Sequence, residues 1–276
     1  MVQCAGCSNV YLNPRPVTEE LPTIYPQNYY AYNYDAVINP IARKAKDVLD
    51  AHKITGWMKY VSTGALLDVG CGNGRYLRML NKLGVPSEKL YGVELSQPEI
   101  DQVKAAGFNG VCGRIEDVVD QLPQGEFDLI VLLQVLEHVQ DPAATVSHLA
   151  NLLKTGGVLI IETPNTDGLD ARIFKNRYWG GYHFPRHWNL FNKTTLTRLV
   201  TSKGLSVRAC KFLPAQSFWI FSFHHAIKEK FKNAWLANMF DPFTNVFLLS
   251  VFTGFDIVRA ALGMQTSNIQ FIAVKE

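Results

Sequence analysis

The stretch LLDVGCGNGRYL, residues 66–77, limits what this chain can fold into more than any other. A short apolar run ends at a cluster of glycines, and an amphipathic helical pattern, GRYLRMLNKLG, begins at Gly74. That is a strand, a glycine loop and a helix. Gly70 and Gly72 allow the backbone to approach a ligand where a side chain would block it. The helix N-terminus behind them attracts a carboxylate or phosphate. A plain strand–helix turn needs one glycine, and this loop has three. The dinucleotide pattern GxGxxG fits poorly, because Arg75 stands at its third glycine.

The pattern continues on both sides. KLYGVEL is a strand, and SQPEIDQVKAAG a helix with Ser96 as candidate N-cap. FDLIVLLQ is a strand, AATVSHLANLLKTGG a helix ending at a glycine pair, and VLIIETP a strand. Such alternation predicts βαβ units and a parallel sheet, and the continuous apolar strands predict helices on both faces. A helix is expected over 39–61, and further strands over 205–213 and 268–275. Three segments result: an irregular N-terminal arm at 1–38, the catalytic-type core at 39–213 and 267–276, and an apolar helical insertion at 214–266.

Composition removes several classes. Of 276 residues, 47% are hydrophobic and 18% charged, enough for a substantial core. A net charge of +3 does not argue for nucleic acid. The five cysteines lack the spacing of a disulfide framework, which points to a reducing, cytoplasmic setting. No signal-peptide pattern and no run of 18 uncharged apolar residues occurs.

DVGCGNG resembles motif I of the class I S-adenosylmethionine-dependent methyltransferases. The resemblance extends in order over most of the chain: Glu94 after YGV, GRIEDV at 113–118, and FDLIVLLQVLEHVQDP. It implies a Rossmann-like α/β fold with a seven-stranded, mostly parallel sheet. It implies S-adenosyl-L-methionine as cofactor, with Asp68, Gly70, Cys71, Gly72, Gly74, Glu94, Leu95, Ile115, Glu116, Gln134 and Tyr29 around it. Glu94 would take both ribose hydroxyls, which suits a bidentate acceptor. Ile115 would meet adenine through its backbone N–H, and Glu116 or Asp117 would accept from the adenine amino group. The family often has Gly-Asp-Ala where this chain has Gly113-Arg114-Ile115.

VLEHVQDP and YHFPRHWNLFNKTTLTRLVTSKG resemble the ubiquinone-type O-methyltransferases and their relatives. The branch implies a small-molecule or lipid-linked acceptor, methylated at oxygen. An oxygen acceptor must lose a proton, and His138 and His187 are the candidate bases, the latter four residues after His183. Each has a purely structural reading too, His138 as a hydrogen-bonded helix-start residue and His187 as a loop lock. Some relatives hold a metal through ExxEH. Here the first acid is Gln134, so no metal is expected. CAGCSNVYLNPRP followed by YYAYNY resembles the linker after a small zinc module, whose first cysteine pair lies upstream in those relatives; the resemblance makes Cys4 and Cys7 the remnant of a lost or truncated zinc module. Tyr29, Tyr30, Tyr32 and Tyr34 would form a lid, or else pack on the sheet edge.

The insertion pairs Phe, Trp and Leu with Lys228, Lys230 and Lys232. That suits contact with a membrane surface, a helical cap on the core, or a homodimer interface. Asp256 and Arg259 argue against a bilayer span. Two other functions stay open: a non-catalytic module that binds S-adenosylmethionine, and a nicotinamide-dependent oxidoreductase.

Overall fold

A computed structural model of the chain describes residues 1–26, 40–62, 64–241 and 245–276. Tyr29, Tyr30, Tyr32 and Tyr34, the expected lid, lie outside the described residues. In chain order the strands are β1 (Val2–Gln3), β2 (Val10–Tyr11), β3 (Ala65–Val69), β4 (Leu90–Glu94), β5 (Asn109–Cys112), β6 (Phe127–Leu133), β7 (Leu153–Pro164), β8 (Asn189–Leu190), β9 (Leu205–Leu213) and β10 (Asn268–Lys275). Seven of them form one sheet in the order β5-β4-β3-β6-β7-β10-β9. β5 to β7 pair in parallel through β4, β3 and β6.

The chain divides into two compact units. One comprises Lys44–Glu162, Thr197–Ala209 and Phe271–Glu276, the other Met1–Arg43, Thr163–Leu196 and Cys210–Gln270. In the first, the chain starts at β3, steps outward to β4 and β5, then returns to lay β6 on the other side of β3. That reversal opens a crevice at the carboxyl ends of β3 and β6, the place where open parallel sheets bind ligands. Alternate positions on the strands are buried alike, Leu66 and Leu67, Leu129 and Ile130, Ile160 and Ile161, so both faces are covered. On one face Leu66, Leu90, Leu129 and Ile160 form a cluster with Ile54 and Trp57 of the Pro40–Trp57 helix, Leu77 and Leu80 of the Arg75–Lys82 helix, and Ile100 and Val103 of the Gln97–Ala105 helix. This is why the strands read as unbroken apolar runs.

Two local expectations are corrected. The helix over 143–157 ends at Leu152, and the glycine pair lies inside β7. Against β6, Phe127 faces Leu153 but Leu129 already faces Val158, so Lys154–Gly157 bulge out of the ladder. Gly157 fits there because a Cβ would meet the carbonyl oxygens of Lys154 and Phe127 at 2.7 Å. Ser96 has extended N-cap dihedrals, but its side chain makes no capping bond.

In the second unit the arm is less irregular than expected. β1 and β2 form an antiparallel hairpin, and β2 pairs with β8. Cys4 and Cys7 sit in the hairpin turn and form no disulfide, and the turn is closed by Cys4 N–H donating to the carbonyl of Asn9 at 2.9 Å. The insertion is helical, as Gln216–Lys230, Ala234–Asn238 and Val246–Ala261. No described helix is long and apolar enough to cross a membrane. Asp256 and Arg259 do not break its apolar surface, because both are buried. Asp256 accepts from Ala215 N–H at 2.9 Å, Trp219 Nε1–H at 3.2 Å and Arg259 at 3.2 Å.

Candidate active site

The glycine loop connects β3 to the Arg75–Lys82 helix through three left-handed residues, Gly70, Gly72 and Gly74, with φ of 76°, 51° and 80°. They differ in what surrounds them. A Cβ on Gly70 would lie 2.5 Å from Val135 Cγ2, so this glycine is required by packing as well as by conformation. A Cβ on Gly72 would meet nothing within 4 Å among the described residues. The loop is therefore anchored at Gly70 and open at Gly72.

Two carboxylates stand at the ends of the neighbouring strands. Asp68, on β3, is buried, and its Oδ2 has no hydrogen-bond partner among the described residues. Burial, then repulsion from Glu94, raises its pKa to about 8, against the attraction of Lys53. Glu94, closing β4, accepts the N–H of Gly72 at 3.1 Å on Oε2, and those of Leu95 at 2.7 Å and Ser96 at 3.4 Å on Oε1. A carboxylate offers about four acceptor positions, so Oε2 keeps one. Cys71 between them is buried, and burial, followed by Asp68 and Glu94, pushes its thiol far up, leaving it neutral.

The remaining expected residues of this unit follow the other strands. Leu95 is exposed beside Glu94. Ile115 opens the Ile115–Val118 helix with its side chain buried. Thr145 donates to Glu116 Oε1 at 2.6 Å, and Arg114 takes both oxygens of Asp117, at 2.6 and 2.8 Å. Gln134 follows β6 with φ of 57°, unusual for a residue with a side chain, and its N–H donates to Glu162 O at 2.7 Å. Strain of this kind gathers at ligand sites. His138 ends the turn after it, half-buried, with its N–H donating to Val135 O at 2.9 Å and its Nε2 3.9 Å from Glu137. It does not begin a helix: the next one starts at Pro142, capped by Asp141.

His187 belongs to the other unit. It is buried, its Nδ1 lies 2.7 Å from the carbonyl oxygen of Gly181, and its ring meets His183 edge-on at 5.0 Å. The Gly181 carbonyl only accepts, so Nδ1 carries a proton.

A group absent from the sequence reading supports the loop from behind. Arg75 donates to Asp47 at 2.5 Å and to Asp50 at 3.3 and 3.1 Å, tying the Arg75–Lys82 helix to the Pro40–Trp57 helix. Asp50 also pairs with Lys46 and lies 3.9 Å from Lys53. Burial opposes its ionisation, but Lys46, Lys53 and Arg75 outweigh it and hold its pKa low. The i, i+4 and i, i+3 spacing of Lys46, Asp50 and Lys53 was the signal for it.

A strand–glycine loop–helix at the switch point of a parallel sheet, with an acidic residue closing the next strand, defines a class of nucleoside-cofactor enzymes. A family model described as "Methyltransferase domain" matches residues 27–209, so the chain belongs to the S-adenosylmethionine-dependent methyltransferases. Among curated proteins it resembles ubiquinone biosynthesis O-methyltransferases. That of Neisseria meningitidis is 33% identical over 107 residues, 36% of this chain and 44% of the relative. That of Xanthomonas euvesicatoria is 35% identical over 123 residues, 39% and 48%. The matches thus span less than half of these relatives. Among solved structures, an S-adenosylmethionine-dependent methyltransferase from Archaeoglobus fulgidus aligns with a TM-score of 0.53 at 19% identity, over 82% of this chain and 93% of that one. The geranyl diphosphate C-methyltransferase of Streptomyces coelicolor, solved with S-adenosyl-L-homocysteine, aligns with 0.53 at 14%, over 83% and 82%. These two likenesses show the fold.

Proposed function

We propose that this chain transfers a methyl group from S-adenosylmethionine to an oxygen of a small-molecule or lipid-linked acceptor. The observation that carries the reading is the loop Gly70–Gly74, open at Gly72 and flanked by the unpartnered Asp68 oxygen and the Glu94 carboxylate. A cofactor with two cationic centres and a vicinal diol matches that set. Bound there, S-adenosylmethionine supplies an electrophilic methyl group on a sulfonium. Asp68 Oδ2 accepts from a cationic donor, Glu94 accepts a ribose hydroxyl at the remaining position of Oε2, and Gly72 lets the backbone come close. Leu95 offers an apolar face to the adenine, with the Ile115 N–H and Glu116 at its edge. Gln134 and Cys71 line the loop. The backbone-held Gly70 and the Asp50–Arg75 tie keep this geometry fixed, which is where positioning gains most of its effect.

The acceptor hydroxyl needs a base. We assign His187 ahead of His138, because the Gly181 carbonyl already holds its Nδ1 and so fixes the ring. The oxygen class draws on the relatives named O-methyltransferase. The test has two arms. Calorimetry with S-adenosylmethionine, S-adenosylhomocysteine and NAD should give binding to the first two only; NAD binding alone would return the oxidoreductase. Turnover assays on quinol-type and hydroxylated lipid acceptors should lose about 10²–10⁴-fold on replacing the true base, with cofactor affinity unchanged. Full activity in both His138→Ala and His187→Ala would remove base catalysis by these residues, and binding without turnover on any acceptor would favour the non-catalytic module.

A further inference from the structure

The helix Val246–Ala261 is two-sided in an unusual way. Its inner side holds its only charges, Asp256 and Arg259, both buried. Its outer side shows Phe247, Val251, Phe255, Ile257 and Val258, with Leu262 just beyond, and Phe247 is 74% exposed. No exposed residue of this helix is charged. A surface helix normally turns its polar face outward. Here the outward face is the apolar one.

The same unit carries a second exposed stretch, from the end of the Gln216–Lys230 helix into the Ala234–Asn238 helix. Lys228, Lys230 and Lys232 are exposed, with Glu229 the one carboxylate among them, so residues 228–235 carry three minus one, a net +2. Between and beside the lysines, Phe231 is 66% and Trp235 75% exposed. Lys230 Nζ lies 5.7 Å from the Phe231 ring centre. Exposed Trp and Phe alternating with Lys match the headgroup layer of a bilayer, where an amphipathic ring has both of its environments.

A second copy of the chain is the rival occupant. A helix of 16 residues is roughly 24 Å long and its face about 10 Å wide, some ~240 Å². A stable interface buries about 800 Å² on each partner. The helix face alone supplies under a third of that, and the adjacent lysines would meet their like. A lipid surface has no such minimum, and no described helix is long and apolar enough to go through it.

We propose that this segment docks on an anionic lipid surface, the outer face of Val246–Ala261 lying in the headgroup–acyl boundary and Lys228, Lys230 and Lys232 on lipid phosphates. Docking stands on these residues alone; that it delivers a lipid-linked acceptor rests on the methyl-transfer reading above. Each lysine near an anionic surface contributes about fivefold in partitioning, the equivalent of ~1 kcal/mol. Salt shortens the reach of that attraction to a few Å.

The test is flotation of the whole chain with vesicles of phosphatidylcholine alone and of an equimolar mixture with phosphatidylglycerol, at low and high salt. The chain should float with the anionic vesicles at low salt and lose most of that binding in the other three conditions. Replacing all three lysines by Ala should lower partitioning on the order of 10²-fold, and Phe231→Ser with Trp235→Ser, or Phe247→Ser with Val258→Ser, should lower it further at any salt. Each variant is checked for S-adenosylmethionine binding, which should match the parent and shows that it is folded. A parent chain that binds cofactor but stays in the soluble fraction overturns docking while leaving the methyl-transfer reading intact. A parent that sediments as a dimer and becomes monomeric in Val258→Asp, without ever floating, assigns the face to a second copy. Flotation with no cofactor binding would spare docking and sink the enzyme reading.

Discussion

Glu94 holds the glycine loop that it faces: its Oε2 accepts the N–H of Gly72 at 3.1 Å, while its Oε1 accepts that of Leu95 at 2.7 Å. One side chain thus joins the end of β4 to the loop after β3, and the proposed ribose contact uses the same carboxylate. Glu94→Ala should weaken S-adenosylmethionine binding by about 1.5–3 kcal/mol, the range for a hydrogen bond to a charged group. Glu94→Gln keeps one acceptor oxygen and should fall between. Titration calorimetry checks this, and an unchanged affinity in the alanine variant would put the ribose elsewhere.

Gly70 and Gly72 share a left-handed backbone but not their surroundings. Alanine at either position meets the left-handed penalty of roughly 1–2 kcal/mol. At Gly70 it also meets Val135 Cγ2 at 2.5 Å. Gly70→Ala should therefore lower the urea midpoint clearly more than Gly72→Ala does. The Gly72 variant should show its larger effect in cofactor affinity, since its methyl would enter the open side of the loop. Equal midpoints would mean that Val135 yields without cost.

Asp68 should make stability and binding depend on pH in opposite directions. Its folded pKa of about 8 lies above the ordinary 3.8 of the unfolded chain. Between these values the folded state holds a proton that the unfolded state has released. Its contribution to stability is complete below the lower value and is lost as pH rises through the higher one. Asp68→Asn should lack this slope in midpoints taken at about pH 5, 7 and 9. A cationic cofactor against Oδ2 favours the charged form, so binding near neutral pH should release protons, and affinity should rise toward pH 8. Calorimetry in two buffers of different ionisation heat counts those protons; none released, or the same number from Asp68→Asn, would separate Asp68 from the cofactor.

The parts of this protein that were legible in its sequence are those whose signal is local. The apolar runs of β3, β4, β6 and β7 and the glycines after β3 announce themselves, because burial on both faces and left-handed turns restrict residue type position by position. β5 did not announce itself: Asn109–Cys112 is four half-buried residues at the edge of the sheet, with little periodicity. The bulge at Lys154–Gly157 was missed because two glycines close a helix as well as they open a ladder. The tie of Arg75 to Asp47 and Asp50 depends on how two helices lie together, which spacing along one helix only hints at. Asp256 and Arg259 read as interruptions of an apolar segment, although their partners, at Ala215, Trp219 and Gln265, make them its internal fastening.

That fastening gives the last prediction. Asp256 is fully buried and accepts three donors, one of them the Arg259 guanidinium, whose other nitrogen donates to Gln265 O at 2.6 Å. Removing one partner of a buried pair leaves the other charge uncompensated and costs about 3–5 kcal/mol. Asp256→Ala also strands the N–H groups of Ala215 and Trp219. Replacing both charges with apolar groups of similar size is often close to neutral. Asp256→Leu combined with Arg259→Met should therefore cost less than Asp256→Ala alone, apart from the two stranded N–H groups, at about 1–3 kcal/mol each. Urea unfolding of the single and double variants measures the difference. If the double variant is the less stable of the two, an uncompensated Arg259 charge is not what makes Asp256→Ala costly, since both variants strand the same two N–H groups and differ in the Arg259 bond to Gln265 O.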